Sequence, residues 1–203
     1  MFFHQNDLSK KQGLLIILSG PSGVGKGTIR RLVMANRSLN LVYSVSMTTR
    51  FKRAKETNGI DYFFVSNEEF DKAIKDDNLL EWASFVGNRY GTPKDYVQKL
   101  RNEGKNVILE IEVEGTKQVM AKQKGGDIVS IFLIPPSFED LEKRIRHRST
   151  ESEEVIQKRL AKARAEMSLK FNYQYVVLND NPKRAAKEIQ NIIKSKIHAT
   201  IRK

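Results

Sequence analysis

The sequence predicts an α/β fold, and three observations lead to that prediction. Apolar runs rich in β-branched residues alternate with segments of helical periodicity, a pattern typical of strand–helix–strand crossovers and a parallel sheet. A glycine-rich turn follows the first of these runs directly. Between residues 38 and 92 the runs become shorter and are joined by turns, as expected of an inserted lobe of antiparallel strands. The long runs are "LLIILS", "NVILEIEV", "IVSIFLI" and "YVVLN".

Length and composition indicate one globular unit. The chain has 203 residues, of which 39% are hydrophobic and 30% charged, enough to bury a sizeable core. No apolar run approaches the ~20 residues that span a membrane, and the first residues lack the long apolar segment of a secretory signal. We therefore expect a cytoplasmic protein without a membrane partner. The absence of cysteine excludes disulfides, and three scattered histidines disfavour a zinc site.

The net charge of +12 raises the alternative of a nucleic-acid-binding protein. Lysines and arginines are spread along the whole chain, and no stacked-aromatic RNA-recognition pattern is present. Charge alone does not decide between nucleic acid and phosphorylated small molecules, and we expect no nucleic-acid partner.

The glycine-rich turn "GPSGVGKGT" has the spacing of a phosphate-binding loop. Gly20, Gly25 and Lys26 fit the pattern G-x-x-x-x-G-K, with an apolar strand before and a helix to about Asn36 after. Such a turn curls backbone N–H groups around a polyanion, and the lysine adds positive charge. The usual Ser or Thr after the lysine is here Gly27, and the hydroxyl comes one residue later on Thr28, which favours metal contact through water. A turn that binds nothing remains the alternative.

Capping residues mark the predicted helices between the strands. A helix from about Pro93 to Glu103 ends before Gly104, a residue type typical of helix C-termini. The other predicted starts are Ser66 with Glu69, Ser137, and Thr150 with Glu153 at the third helical position.

Two arginines in "SVSMTTRFKR" indicate an anion site. Arg50 and Arg53 lie three residues apart on a β-like segment, and each offers a planar fork of donors that suits phosphate. Tyr62 and Tyr90 could each give a hydroxyl to the same anion. The alternatives are a solvated basic turn and two packed aromatic rings.

Two acidic residues have apolar neighbours in the sequence and indicate a base-recognition site. Glu81 lies in "LLEWASF" and Glu112 in "VILEIEV", and a buried carboxylate needs partners. Guanine offers adjacent N1–H and N2–H donors that one carboxylate can accept, whereas adenine lacks them. Glu110, two residues before Glu112, is expected on the same side of the strand, where it could hold Mg²⁺ through water. The alternative for Glu81 is a solvent-facing position on its strand.

A last cluster of charge lies in "EKRIRHRSTESEEVIQKRLAKAR". Arg144 and Arg148 share a helix face, and Arg159 follows on the next helix. Arginines above a phosphate site can neutralise charge during phosphoryl transfer. The alternative is an ordinary charged helical hairpin.

Together these segments closely resemble guanylate kinase, the ATP-dependent nucleoside monophosphate kinase family of the phosphate-loop superfamily. The resemblance covers nearly the whole chain and is carried by several motifs in the family's order. They are "LLIILSGPSGVGKGT", "SVSMTTRFKRAKETNGIDYFFVS", "EWASFVGNRYGTP", "LEIEVEG", "RHRSTESEEVIQKRL" and "YQYVVLND". It implies three parts: an ATP-binding core of residues 1–37, 93–136 and 170–203, a GMP-binding lobe of residues 38–92, and a lid of residues 137–169.

The resemblance also implies a role for each site residue. The ATP-binding set is Gly20, Pro21, Ser22, Gly23, Val24, Gly25, Lys26, Gly27 and Thr28, with Asn179 near the adenine. The guanine readers are Ser46, Glu81, Thr92 and Glu112, and the residues that clamp the GMP phosphate are Arg50, Arg53, Tyr62 and Tyr90. The catalytic set is Lys26, Arg50, Arg144, Arg148 and Arg159. Apart from the resemblance, the residues themselves assign Mg²⁺ to Thr28 and Glu110, through water. One departure is Lys52, where many relatives have a proline.

The implied reaction is ATP + GMP ⇌ ADP + GDP with Mg²⁺, dGMP being a second acceptor, and it is compatible with a monomer or a homo-oligomer. Three rivals stay open: a kinase for adenylate or thymidylate, a non-enzymatic binding module related to the family, and the nucleic-acid binder. Glu81 and Glu112 favour guanine, and the intact Lys26 favours an enzyme.

Overall fold

The structure is a computed structural model that describes residues 11–85, 87–123, 125–148 and 152–201. For Phe85, Arg148 and Ile201 the description covers the backbone alone. The strands are β1 Leu15–Ser19, β2 Leu41–Tyr43, β3 Met47–Thr48, β4 Phe63–Phe64, β5 Leu79–Phe85, β6 Asn88–Pro93, β7 Asn106–Glu110, β8 Ile128–Ile134 and β9 Tyr175–Leu178. The helices are α1 Lys26–Met34, α2 Asn67–Lys75, α3 Lys94–Asn102, α4 Val113–Lys122, α5 Phe138–Arg148, α6 Glu153–Met167 and α7 Pro182–Ile201.

The predicted parallel sheet is confirmed, with strand order β2-β7-β1-β8-β9. Every residue of β1 is buried, because helices cover both faces of the sheet. Ile16 and Leu18 face a cluster that includes residues of α1, α5, α6 and α7. Leu15 and Ile17 face the opposite cluster, which includes residues of α3 and α4. Because β1 runs parallel to its neighbours β7 and β8, the loop that follows β1 lies at the carboxyl edge of the sheet, where ligands bind in open α/β folds.

A second sheet, in the order β4-β3-β6-β5, forms the inserted lobe. The prediction of an antiparallel lobe is only partly right, because β3 pairs with β4 in parallel and with β6 antiparallel. The run "LVYSVSM" also divides between the sheets: β2 pairs with β7 in the core sheet, whereas β3 belongs to the second sheet. A small core of Phe70, Ala73 and Leu79 holds α2 against the second sheet.

The two predicted capping boxes have different outcomes. At α2 the box is confirmed: the Glu69 N–H donates to Ser66 Oγ, and the Ser66 N–H donates to the Glu69 carboxylate. At α6 the prediction is wrong, because Glu153 is the first residue of the helix and Ser152 precedes it as the cap residue. The Glu153 carboxylate accepts from Arg146 on α5 instead, and Thr150 lies outside the described residues.

The predicted strand "NVILEIEV" is shorter than its apolar pattern. β7 ends at Glu110, and α4 begins at Val113, so Glu112 lies at the N-cap position of the helix without a capping hydrogen bond from its side chain. None of the helices in the described part of the chain combines the length and the apolar composition needed to cross a bilayer.

Candidate active site

The turn between β1 and α1 has the backbone that its glycines predict. Gly20, Gly23 and Gly25 all have positive φ, at 145°, 84° and 102°. At Gly20 a Cβ would also lie 2.6 Å from the main-chain oxygen of Leu133, so no larger residue fits there without a shift of β8. The sequence "GPSGVGKGT", residues 20–28, is called the phosphate loop below.

Lys26 is folded back onto the phosphate loop. Its ammonium donates to the main-chain oxygens of Gly20, at 2.6 Å, and Pro21, at 3.2 Å. Burial lowers the pKa of Lys26, and the carboxylates of Glu112, Glu166 and Glu110 act in the opposite direction. The Lys26 side chain therefore lies against its own loop, at the edge of the loop cavity, with three acids in its surroundings.

A cavity of about 190 Å³ opens at the phosphate loop. It is smaller than the roughly 300–1,000 Å³ of pockets that enclose whole small ligands. Its size suits the phosphates of a nucleotide rather than the entire molecule. The cavity brings together most of the predicted ATP and metal residues, and its lining is Ser22, Gly23, Gly25, Lys26, Gly27, Thr28, Glu110 and Glu112.

The two acids of this cavity are placed by different elements. Glu110 ends β7, and its carboxylate accepts from Arg30 Nε at 2.7 Å, while the Arg30 guanidinium lies 3.9 Å from the centre of the Tyr43 ring. Glu112 precedes α4, so the strand alternation that predicted both acids on one side does not apply to it. Both nevertheless border the cavity. The described residues contain no cluster of three or more acids or histidines able to hold a metal by themselves.

Glu81 is a buried acid on β5, so a solvent-facing position is excluded. The Thr92 hydroxyl on β6 donates to its Oε1 at 2.5 Å. On α4 a Cβ at Gly115 would lie 2.7 Å from Oε2, so the missing side chain makes room for the carboxylate. Burial raises the pKa of Glu81, the Thr92 hydrogen bond opposes this, and the charge of Glu112 adds to the rise.

The prediction that Glu112 is buried is wrong. Its side chain is 59% exposed, and its Oε2 accepts from Lys162 Nζ of α6 at 2.5 Å. The apolar neighbours Ile111 and Val113 are both buried, but Glu112 points away from them at the start of the helix. Sequence reasoning missed Lys162, since fifty positions separate it from its partner.

The two predicted clamp arginines have different environments. Arg50 forms an ion pair with Glu56 at 2.7 Å, and its guanidinium lies 5.5 Å from the centre of the Tyr62 ring. The hydrogen bond to Glu56 is the main cause that raises the pKa of Arg50, and a hydrogen bond with Tyr90 adds to it. Arg53 is exposed, and its backbone N–H donates to the other Glu56 oxygen at 2.8 Å.

Glu56 binds both arginines of the predicted phosphate clamp, and sequence reasoning missed it. The Tyr62 and Tyr90 rings meet edge to face with centroids 5.9 Å apart, and the Tyr62 ring lies beside the Arg50 guanidinium. The signal for Glu56 was available in the sequence, because an acid three residues after Arg53 in a tight turn can satisfy both arginines.

Side chains of the α5–α6 hairpin contact the phosphate loop. Arg144 donates to the main-chain oxygens of Val24 and Asn179, both at 3.3 Å. Arg159 donates to Ser22 Oγ at 3.0 Å. The buried Asn179 amide donates to the same Val24 oxygen at 2.7 Å, which ties β9 to the loop. The Arg148 side chain lies outside the described residues.

A family model described as guanylate kinase matches residues 12–196 of the chain. The chain belongs to the guanylate kinase family. Relatives at high identity agree with this. The guanylate kinase of Mesoplasma florum is 53% identical over 184 residues, which are 91% of this chain and 61% of that relative. The guanylate kinase of Malacoplasma penetrans is 51% identical over 187 residues, 92% of this chain and 95% of that relative.

Among solved structures, the crystal structure of guanylate kinase from Anaplasma phagocytophilum superimposes with a TM-score of 0.71 at 33% identity, covering 92% of this chain and 87% of that one. The α/β fold with a parallel and a mixed sheet is thus that of a guanylate kinase. The predicted family is confirmed by the family model and by these relatives. The chain spans 61% of the length of the Mesoplasma relative, so that relative has further residues without a counterpart here.

Within this guanylate kinase fold, the predicted residues form two groups. The phosphate loop, Glu110, Glu112, Arg144, Arg159 and Asn179 lie at the carboxyl edge of the core sheet. Arg50, Tyr62 and Tyr90 lie in the lobe, and Ser46 immediately precedes β3, where its main-chain oxygen accepts from the Phe63 N–H. Glu112 borders the phosphate-loop cavity, and its negative charge acts toward a higher pKa of both Glu81 and Lys26.

Proposed function

We propose that this protein is an ATP:GMP phosphotransferase that converts ATP and GMP to ADP and GDP, accepts dGMP as well, and serves purine nucleotide metabolism and GMP recycling. The observation that carries the proposal is the presence in one chain of an intact phosphate loop, whose cavity Glu112 borders, and a buried acid, Glu81, which accepts a hydrogen bond from Thr92. Relatives named guanylate kinase support it.

The phosphate loop binds the ATP triphosphate. Its backbone N–H groups lie at the start of α1, where the helix dipole favours an anion. The Lys26 ammonium, held by the oxygens of Gly20 and Pro21, exchanges these contacts for β- and γ-phosphate oxygens when ATP binds. Residues 20–28 form the cradle, and Asn179 lies near the adenine and fixes the loop through Val24.

GMP binds between the lobe and the core. Glu81 and Glu112 accept from the guanine N1–H and N2–H donors, with Ser46 and Thr92 beside them, and Thr92 already orients Glu81. Arg50, Arg53, Tyr62 and Tyr90 hold the GMP phosphate. The Arg50 guanidinium donates a hydrogen bond to Glu56 in the ligand-free protein. The GMP phosphate therefore meets an Arg50 side chain that is already oriented.

The chemical step needs positioning and charge neutralisation. The attacking group is a phosphate oxygen that is already anionic, so no strong general base is required. Arg50 orients the acceptor phosphate for in-line attack, and Lys26 stabilises the charge on the transferring group. Arg144, Arg148 and Arg159 of the lid close over it, and the closed lid excludes water that would otherwise hydrolyse ATP.

The residues at the loop fit Mg²⁺ held mainly by phosphate and water oxygens. The Thr28 and Glu110 side chains border the cavity, and both offer the oxygen ligands that Mg²⁺ prefers. Glu110 is already paired with Arg30, which suits contact through water. When bound with ATP, Mg²⁺ neutralises charge on the β- and γ-phosphates.

We extend the proposal to the division of the chain and to its location. The core comprises residues 1–37, 93–136 and 170–203, the lobe residues 38–92, and the lid residues 137–169. Because β2 pairs with the core sheet, we move the start of the lobe from residue 38 to the residues after Tyr43. Dependence on ATP and GMP favours a cytoplasmic location, where free nucleotides are found.

The test is a coupled assay for ADP release with GMP, dGMP, AMP, CMP, UMP and dTMP as acceptors in parallel. We expect ADP release that depends on GMP, a lower rate with dGMP, and little with the other four. No release at saturating ATP and GMP would leave a binding module, and equal rates with AMP would remove the guanine-reading role.

A further inference from the structure

We propose that Lys162 couples the lid to guanine recognition: without nucleotide its ammonium occupies the Glu112 carboxylate, and the guanine base of GMP must displace it. This inference rests on the proposed function, because it takes Glu112 as a reader of guanine. Lys162 was not among the predicted site residues.

Lys162 stands between two carboxylates. Its Nζ lies 2.5 Å from Glu112 Oε2 and 3.8 Å from Glu166 Oε1. Burial lowers the pKa of Lys162, but the hydrogen bond and charge of Glu112, with the charges of Glu166 and Glu114, raise it above its usual value. The ammonium therefore stays charged at neutral pH and is shared between the core and its own helix.

The two contacts differ in what they connect. Glu112 precedes α4 and borders the phosphate-loop cavity, so its ion pair with Lys162 joins α6 to the proposed guanine site. Glu166 lies four residues after Lys162 on α6 and is buried; burial raises the pKa of Glu166, while the charges of Lys162 and Lys26 and the Ser22 backbone of the phosphate loop oppose that rise. A Lys162 released from Glu112 thus has a second acceptor ready on its own helix, beside the loop.

Guanine and Lys162 compete for the same oxygens. The guanine donors need free carboxylate oxygens on Glu81 and Glu112, and Lys162 already binds Oε2 of Glu112. The side chains of Lys162 and Glu112 are 53% and 59% exposed, so the pair is screened and weak enough to be displaced. Pairs of this kind change a dissociation constant by about two- to fivefold.

Titration calorimetry of GMP, without ATP, tests the coupling in four proteins. We expect Lys162→Met to bind GMP about two- to fivefold more tightly than the native chain, because the competitor is gone. Lys162→Arg keeps the pair and should bind like the native chain. Lys158→Met is the matched control, since it removes the same charge one turn earlier, where the partner is the exposed Glu154, and it should leave the affinity unchanged.

A double-mutant cycle identifies the route of the effect. In a Glu112→Gln background, Lys162→Met should no longer tighten GMP binding. Unchanged or weaker binding by Lys162→Met in the native background would overturn the coupling, weaker binding showing that the lysine simply attracts the GMP phosphate. A gain that persists with Glu112→Gln would overturn it too. Failure of the native chain to bind GMP would instead remove the proposed function, and this inference with it.

Discussion

At the scale of single residues, the site depends on where each carboxylate lies. Glu81 is buried, with one hydrogen-bond donor and a glycine that makes room for it, whereas Glu112 is exposed and paired. The sequence predicted both as buried from their apolar neighbours. Apolar neighbours in the sequence do not predict burial at a position where a strand ends and a helix begins. Glu112 lies at such a position, in the turn between β7 and α4.

Glu81→Gln tests the guanine-reading role. The amide keeps one acceptor but turns a donor toward the base, so we expect kcat/KM for GMP to fall about 10–10²-fold, the equivalent of one charged hydrogen bond of roughly 1.5–3 kcal/mol. KM for ATP should stay within twofold of the native value. Steady-state kinetics with each substrate varied in turn measure both, and Glu114→Gln, an exposed acid paired with Lys117, is the control.

The same residue gives GMP binding a pH dependence. Guanine needs the ionised carboxylate, and burial holds the pKa of Glu81 above its usual value of 4.5, so affinity for GMP should weaken as pH falls through that raised pKa. Thr92→Val removes the hydrogen bond that lowers the pKa, and the inflection should move to higher pH. For the ligand-free protein the sign is opposite: the Glu81 contribution to stability is present below pH 4.5 and is lost as pH rises through the folded pKa.

At the scale of elements, the phosphate loop was the most predictable part of the chain. Its glycine spacing and flanking strand and helix fix a local backbone, and the structure has positive φ at the three glycines between β1 and α1. Contacts made between distant elements were not predictable. The pairing of Lys162 with Glu112 depends on where α6 lies relative to the turn between β7 and α4, which no local pattern encodes.

Gly20→Ala tests the fit of the loop against β8. An added Cβ would meet a main-chain oxygen of Leu133 at 2.6 Å, on a backbone with φ at 145°. We expect the free energy of unfolding to fall by about 1–3 kcal/mol, because neither the strand nor the turn can move freely. Gly125→Ala is the control, since a Cβ there meets nothing within 4 Å. Urea denaturation of the three proteins gives the comparison, and equal midpoints for Gly20→Ala and the native chain would contradict the steric argument.

At the scale of the whole molecule, the fold was predicted more fully than the site. The four long strands of the core sheet, the separate lobe and the helix boundaries near Gly104 follow from burial patterns and capping residues. β2 is an exception: three residues of a continuous β-like run pair with β7, and the next strand belongs to another sheet. A run of apolar residues predicts that a strand is buried, but it does not predict which strand that strand pairs with.

The whole molecule brings Lys26, Glu110 and Glu112 to one cavity of the core and places Arg50 with Tyr62 in the lobe. Under the proposed function, cations bind the phosphates and carboxylates select the base, which would account for several acids at the site of a chain with a net charge of +12.

A crystal structure with ADP and GMP bound together tests this division of labour most directly. The account predicts the ADP phosphates on residues 20–28 with Lys26 turned from the Gly20 oxygen to a phosphate oxygen, and the guanine edge hydrogen-bonded to Glu81 and Glu112. A guanine base held elsewhere, or ADP phosphates away from the loop, would contradict it.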